Sequence, residues 1–208
     1  MKRSPAITYR SREEIRGFFK EQGIVYLTRS RVAWRPLLSR PLHSSPYYLE
    51  NETHFQELCR HYGDQIRQGH MAPLYIGRID EDVGYGVFAA ADIPAGSFIG
   101  EYAGVVQRAK TDAGHPLDAG GYESDYSWYY LDDVPGAPDL EINGRLEGNE
   151  LRFVNHGDTP NLEVEHTLFQ GQWVLFFTAA RDIRTDEQLL ISYGEAYWED
   201  GWRDCESL

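Results

Sequence analysis

The feature that most limits the fold lies between residues 74 and 194, where Gly and Pro divide the chain into short apolar runs. Runs of about four to eight apolar residues bounded by turn residues are typical of strands. We expect strands at 74–79, 86–90, 97–102, 105–107, 162–169, 173–179 and 188–193, with a hairpin at Gln170-Gly171. The sequence therefore predicts a mainly β domain over residues 74–194.

The preceding residues, 1–73, are predicted to be an N-terminal extension that is partly helical. A capping box over Ser11–Glu14 opens a short amphipathic helix toward Phe19, and Gly23 ends it. A strand is expected at 24–27.

The second half of this extension predicts irregular chain followed by a longer helix. Residues 30–50 contain three prolines and little periodicity, which indicates irregular chain. Residues 53–68 place apolar side chains on one helical face, and Thr53 suits the cap. Cys59 belongs to that face, so we interpret it as a small core residue rather than a nucleophile.

Charge is distributed unevenly along the chain. Residues 1–40 hold ten Lys and Arg against three acids, a net of +7, whereas residues 41–208 carry a net of −20. An acidic body repels phosphate and attracts a basic protein, so sequence-specific DNA binding by the main domain is not expected. Solubility alone would also explain such a surface.

Several protein classes are excluded by composition. Cys59 and Cys205 are too few for a disulfide framework or a multi-cysteine zinc cluster, and we expect no metal. No run of 18 apolar residues occurs, so no membrane span is expected. The first 14 residues lack the apolar stretch of a secretory signal, and Glu13 and Glu14 argue against a transit peptide. A cytoplasmic or nuclear protein is expected, with delivery to a host nucleus as the alternative if the source is a pathogen or symbiont.

Gly84-Tyr85-Gly86 with Ala89 fits a dinucleotide-binding pattern, which must open a helix. Pro94 follows too closely for that helix, so a dinucleotide-binding site is not expected here. A tight turn is the simpler interpretation. Two later motifs also have structural explanations when each is taken alone. They are Arg152-x-x-Asn155-His156, which continues to Pro160-Asn161, and the strand that ends at Tyr193-Gly194.

Taken in order, these motifs resemble those of the SET-domain protein lysine methyltransferases, particularly the compact bacterial and viral ones. Further matches are the segment 93–104, Tyr126-x-Trp128 and Ile142 to Asn149. The resemblance implies the SET-domain fold, with small β-sheets around a C-terminal pseudo-knot, and a C-terminal aromatic segment, 195–208, that closes the site. Departures are Gly157 and Asp158 after His156, Asn143 in place of a frequent Asp, and the lack of cysteine-rich flanks.

The resemblance also implies an activity, methyl transfer from S-adenosyl-L-methionine to a lysine side chain of a basic protein, above all a histone tail. Alternatives are a ribosomal or other basic substrate, and a catalytically weak SET module that binds a basic protein. Nucleosome binding and a homodimer stay open.

Residue roles follow from the same resemblance. The catalytic residues would be Tyr193 and Tyr102. The cofactor would be held by Gly84, Tyr85, Gly86, Tyr126, Arg152, Asn155, His156 and Trp198. The substrate channel would contain Trp128, Val164, Ile191 and Tyr197.

Overall fold

The computed structural model describes residues 5–109, 126–130 and 138–193. Within these ranges the fold is mainly β, as predicted. In chain order the elements are β1 Thr8–Tyr9, α1 Arg12–Glu21, β2 Val25–Tyr26, β3 Arg31–Val32, α2 Pro46–Glu50, α3 Glu52–Gln68, β4 Leu74–Arg78, β5 Tyr85–Ala89, β6 Phe98–Glu101, β7 Val105–Arg108, β8 Ser127–Tyr130, β9 Leu140–Asn143, β10 Glu147–Gly148, β11 Asn155–His156, β12 Leu162–Phe169, β13 Gln172–Ala179 and β14 Leu190–Ile191.

The strands form five small sheets around one main core. Their orders are β1-β4-β5, β2-β10, β11-β14, β12-β13-β6 and β3-β7-β9-β8. Short strands leave each sheet too small to be stable alone, so the sheets depend on packing against one another. None of the described helices is long and apolar enough to cross a bilayer.

The predicted hairpin is confirmed. β12 and β13 pair antiparallel from Leu162↔Ala179 to Phe169↔Gln172. The two turn residues, Gln170 and Gly171, have φ values of 52° and 77°. Positive φ at both positions gives the turn whose twist matches that of the flanking strands.

The predicted first helix is also confirmed. The Ser11 hydroxyl accepts from the Glu14 backbone N–H, and the Glu14 carboxylate accepts from the Ser11 N–H, which completes the capping box. The buried face of α1 consists of Ile15, Phe18 and Phe19. These side chains pack against Ile76 of β4, so the helix is fixed to the β domain.

The second predicted helix, α3, begins at Glu52 after Asn51, so the prediction that Thr53 caps it is wrong. Its packing on the β domain is as expected. The Phe55 ring lies 5.0 Å from the Trp173 ring, and the Thr167 hydroxyl donates to the Phe55 carbonyl over 2.9 Å. The Cys59 Sγ lies 3.3 Å from the Thr167 Oγ1, as expected of a residue on the core side.

The prediction of irregular chain over residues 30–50 is wrong in part. β3 pairs parallel with β7, α2 follows Ser45, and Leu37 lies in a 3₁₀ turn with no exposed surface. Local periodicity could not find these elements, because tertiary pairing stabilises them. β9 was missed for the same reason, since its partners β7 and β8 lie on either side of it.

Adjacent leucines test this correction. Leu37 is fully buried and Leu38 is 56% exposed in the same 3₁₀ turn. We expect Leu37→Ala to lower the free energy of unfolding by about 2–5 kcal/mol, because it leaves a cavity. Leu38→Ala should cost less than about 0.5 kcal/mol. Urea unfolding measures both values, and equal losses would contradict the burial of Leu37.

Candidate active site

A cavity of about 620 Å³ opens between the end of α1, the turn before β5 and the last described strand. Its walls include six of the residues predicted to form the site, namely Gly84, Tyr85, Tyr126, Arg152, Asn155 and Tyr193. These residues are separated by more than a hundred positions in sequence. The tertiary structure therefore brings most of the predicted cofactor residues into one cleft.

The glycine turn lines one side of this cleft. Gly84 has a φ of 78°, and nothing lies within 4 Å of the position that a Cβ would take there. Gly86 is crowded instead, because a Cβ would come within 2.8 Å of Ile79 and 3.3 Å of the Asn155 amide. The turn leads into a strand rather than a helix, which confirms that it is not a dinucleotide-binding turn.

Asn155, His156 and Tyr193 meet because β11 and β14 pair in parallel. The Asn155 amide donates to the Tyr85 carbonyl over 3.0 Å, which joins β11 to the glycine turn. The His156 Nδ1 accepts from the Tyr193 backbone N–H over 3.2 Å, so the neutral ring carries its proton on Nε2. The Tyr193 hydroxyl donates to the Val154 carbonyl over 3.1 Å.

Asn161 is a positioning residue whose contacts the sequence did not reveal. Its side chain is buried, donates to the Gln188 carbonyl over 2.8 Å and accepts from the Leu190 N–H over 2.8 Å. It therefore fixes the chain that leads to Tyr193. The Pro160-Asn161 pair was part of the motif, but its partners could not be inferred from spacing.

Arg152 positions Tyr126 at the cleft. The guanidinium lies 4.0 Å from the centre of the Tyr126 ring and donates to the Gly144 and Arg145 carbonyls over 2.8 and 3.1 Å. Burial lowers the pKa of Arg152, yet these acceptors and the aromatic face compensate the charge. Arg152 acts on the cleft through its neighbours as well as by lining it.

Tyr102 and Trp128 lie next to each other, and Tyr102 is hydrogen-bonded to Tyr126 of the cleft wall. Their ring centres are 5.9 Å apart, and both rings pack near Phe177. The Tyr102 hydroxyl donates to the Tyr126 carbonyl over 2.7 Å, and burial strongly raises its pKa. Tyr102 therefore stays protonated and holds the Tyr126 backbone in place.

Two other predicted channel residues, Val164 and Ile191, lie on β12 and β14. Val164 lies opposite Phe177 across β12 and β13, and Ile191 is buried in β14 beside His156. Tyr197 and Trp198 lie outside the described residues.

The cleft suits a ligand of the size and polarity of S-adenosyl-L-methionine. Its volume falls within the range of small-molecule sites. Its charged lining comprises Asp82, Arg145 and Arg152, so groups of both signs can find partners. In the part of the chain that the structure describes, His, Cys, Asp and Glu form no group of three that could hold a metal ion.

Comparison with known proteins identifies relatives. The SET domain family model matches residues 84–194. The histone-lysine N-methyltransferase EHMT1 of Mus musculus is 32% identical over 139 residues, which cover 64% of this chain and 10% of the relative. The histone-lysine N-methyltransferase EZH2 of Chaetomium thermophilum is 26% identical over 151 residues, which cover 70% of this chain and 10% of the relative.

Solved structures agree with the fold. The crystal structure of the Chaetomium thermophilum polycomb repressive complex 2 aligns with a TM-score of 0.51 and 26% identity, over 62% of this chain and 16% of that chain.

The chain spans about a tenth of the length of the two curated relatives. Because the family model covers more than half of its residues, the chain belongs to the SET domain family.

Proposed function

We propose that this protein is a protein-lysine N-methyltransferase that uses S-adenosyl-L-methionine to methylate a lysine of a basic protein. The observation that carries the proposal is the convergence of Gly84, Asn155 and Tyr193 on one cleft, beside the aromatic pair Tyr102 and Trp128. Similarity to histone-lysine N-methyltransferases supports a histone tail as the substrate.

The site must first hold the substrate lysine as a neutral amine. A free lysine has a pKa of about 10.4, so at pH ~7.4 neutralising it costs about 4 kcal/mol. A channel walled by Tyr102, Trp128 and Tyr193 disfavours the ammonium by desolvation, which lowers that pKa. Bound S-adenosyl-L-methionine would supply an electrophilic methyl group on a positively charged sulfur.

Tyr193 would orient the amine. Its ring borders the cleft and its hydroxyl is anchored to the Val154 carbonyl, so its position is set by the chain. A fixed hydroxyl and nearby carbonyls can hold the amine in line for attack, and alignment of this kind provides a large part of catalysis. Tyr102 would contribute by fixing the Tyr126 backbone.

The proposed partner is a Lys-rich protein, which the acidic body would attract. A nuclear location follows from a histone substrate. The second candidate, a SET module that binds without catalysis, is disfavoured because Asn155, His156 and Tyr193 are retained together with the hydrogen bonds among their elements.

Replacement of Tyr193 tests the catalytic assignment. We expect Tyr193→Phe to reduce the turnover number by about 100-fold or more, because the orienting hydroxyl is lost. Methyl transfer from labelled S-adenosyl-L-methionine to core histones and to a basic protein extract measures it. Tyr62→Phe is the matched control, since it removes a similar hydroxyl-to-carbonyl bond, to Gly96. A folded Tyr193→Phe variant with full activity would remove the assignment.

Salt dependence tests the role of the acidic body. The net charge of −20 over residues 41–208 should hold a basic substrate electrostatically. We expect KM for the protein substrate to rise between about 50 and 300 mM salt, while affinity for the cofactor changes little. Steady-state kinetics and calorimetry measure the two. Equal responses would mean that the acidic surface serves solubility alone.

The degree of methylation tests the predicted channel. Neither Ile191 nor Val164 carries a hydroxyl, so a water beside the amine would be poorly held there and could not block further methylation. We expect products beyond monomethyl-lysine by mass spectrometry of a peptide substrate. Ile191→Tyr should shift the product toward monomethyl-lysine, whereas Ile191→Phe, with similar bulk and no hydroxyl, should not. Monomethyl product alone from the wild-type protein would contradict this expectation.

A further inference from the structure

The extension reaches the cleft at the end of α1. Gly23, with a φ of 70°, donates to the Lys20 carbonyl over 3.1 Å, and Ile24 donates to the Phe19 carbonyl over 2.9 Å. This is the usual end of a helix at a left-handed glycine. It reverses the chain so that Gln22, Gly23 and Ile24 all line the same 620 Å³ cavity as Asn155 and Tyr193.

The chain on either side of residues 22–24 is firmly attached to the β domain. The Phe18 ring lies 4.7 Å from the Tyr85 ring and 5.5 Å from the Phe153 ring. After the turn, β2 pairs in parallel with β10. The Tyr26 hydroxyl then donates to the buried Glu150 carboxylate over 2.9 Å. Anchors therefore lie on both sides of residues 22–24.

We propose that residues 22–24 of the extension form part of the methyl-donor site, so that a charge introduced there changes the affinity for a charged ligand. This inference rests on the proposed function. The three residues lie outside the segment 84–194 that matches the family model, so membership of the family does not assign them this role. The assignment comes from their place in the wall of the cavity.

The wall of the cavity carries charges of both signs. The C-terminal end of a helix carries a partial negative charge, which favours a cation within about one turn. α1 ends at this cleft, and Asp82 lines it as well. Lys20 in the last turn of α1, together with Arg145 and Arg152 of the lining, opposes this effect, so the wall holds charges of both signs and an added charge at its edge would act on the bound ligand.

S-adenosyl-L-methionine carries a net charge of +1, whereas its demethylated product S-adenosylhomocysteine is neutral overall. Because the two ligands have nearly the same shape, the difference between their affinities reports the charge around the binding site. Gln22 is exposed and ends α1, so its charge can be changed without disturbing the core. Gln68 is the matched control, because it is exposed, ends α3, and precedes a left-handed glycine that borders a separate cavity.

Calorimetric titration of the full chain with each ligand tests the proposal. We expect Gln22→Lys to weaken binding of S-adenosyl-L-methionine by about two- to fivefold, and Gln22→Glu to strengthen it similarly. Binding of S-adenosylhomocysteine should change much less. Gln68→Lys and Gln68→Glu should leave the affinity ratio of the two ligands unchanged.

The outcomes separate this inference from the proposed function. If the wild-type protein binds both ligands and the Gln22 variants behave like the Gln68 variants, residues 22–24 are not part of the site. If the wild-type protein binds neither ligand, the proposed function fails and this inference with it. Hydrogen exchange of the wild-type protein needs no variant. S-adenosyl-L-methionine should slow exchange at the Gly23 and Ile24 amides, and unchanged exchange would overturn the proposal.

Discussion

The cleft depends on the parallel pairing of β11 with β14, two strands of two residues each. So short a ladder would be unstable alone, and Asn161 reinforces it by hydrogen bonds to the Gln188 carbonyl and the Leu190 N–H. Because the Asn161 side chain is buried, breaking these bonds would leave polar groups without partners or water. The position of Tyr193 follows from this pairing, since His156 Nδ1 accepts from its backbone.

The extension is a structural part of the domain rather than an appendage. α1 contributes two phenylalanines to a cluster with Tyr85 and Phe153, and both of these residues also line the cleft. Burial raises the pKa of Glu150, and the Tyr26 hydroxyl offsets part of this desolvation by sharing its one proton between the two carboxylate oxygens, at 3.0 and 2.9 Å. A change in the extension should therefore alter both stability and the cleft.

In the proposed function, the acidic surface and the aromatic side chains would contribute to substrate recognition at different distances. The acidic body would then act at long range on a basic partner, and salt would screen its effect. The proposed aromatic channel would act at short range by excluding water around the amine. Arg152 holds Tyr126 by a cation–π contact of 4.0 Å, so a buried charge supports an aromatic residue of the cleft wall.

Local chemistry determined much of this protein. The Ser11 capping box, the Gln170-Gly171 turn and the apolar runs are short-range signals, and each predicted its element to within a few residues. Six residues that line the cleft belong to the ordered motifs. Tertiary structure decided the rest: β3 and β9 exist because partners distant in sequence pair with them. Gln22 and Ile24 reach the cleft because Gly23 reverses the chain and aromatic packing holds the reversal, and no short-range pattern encodes where a turn will dock.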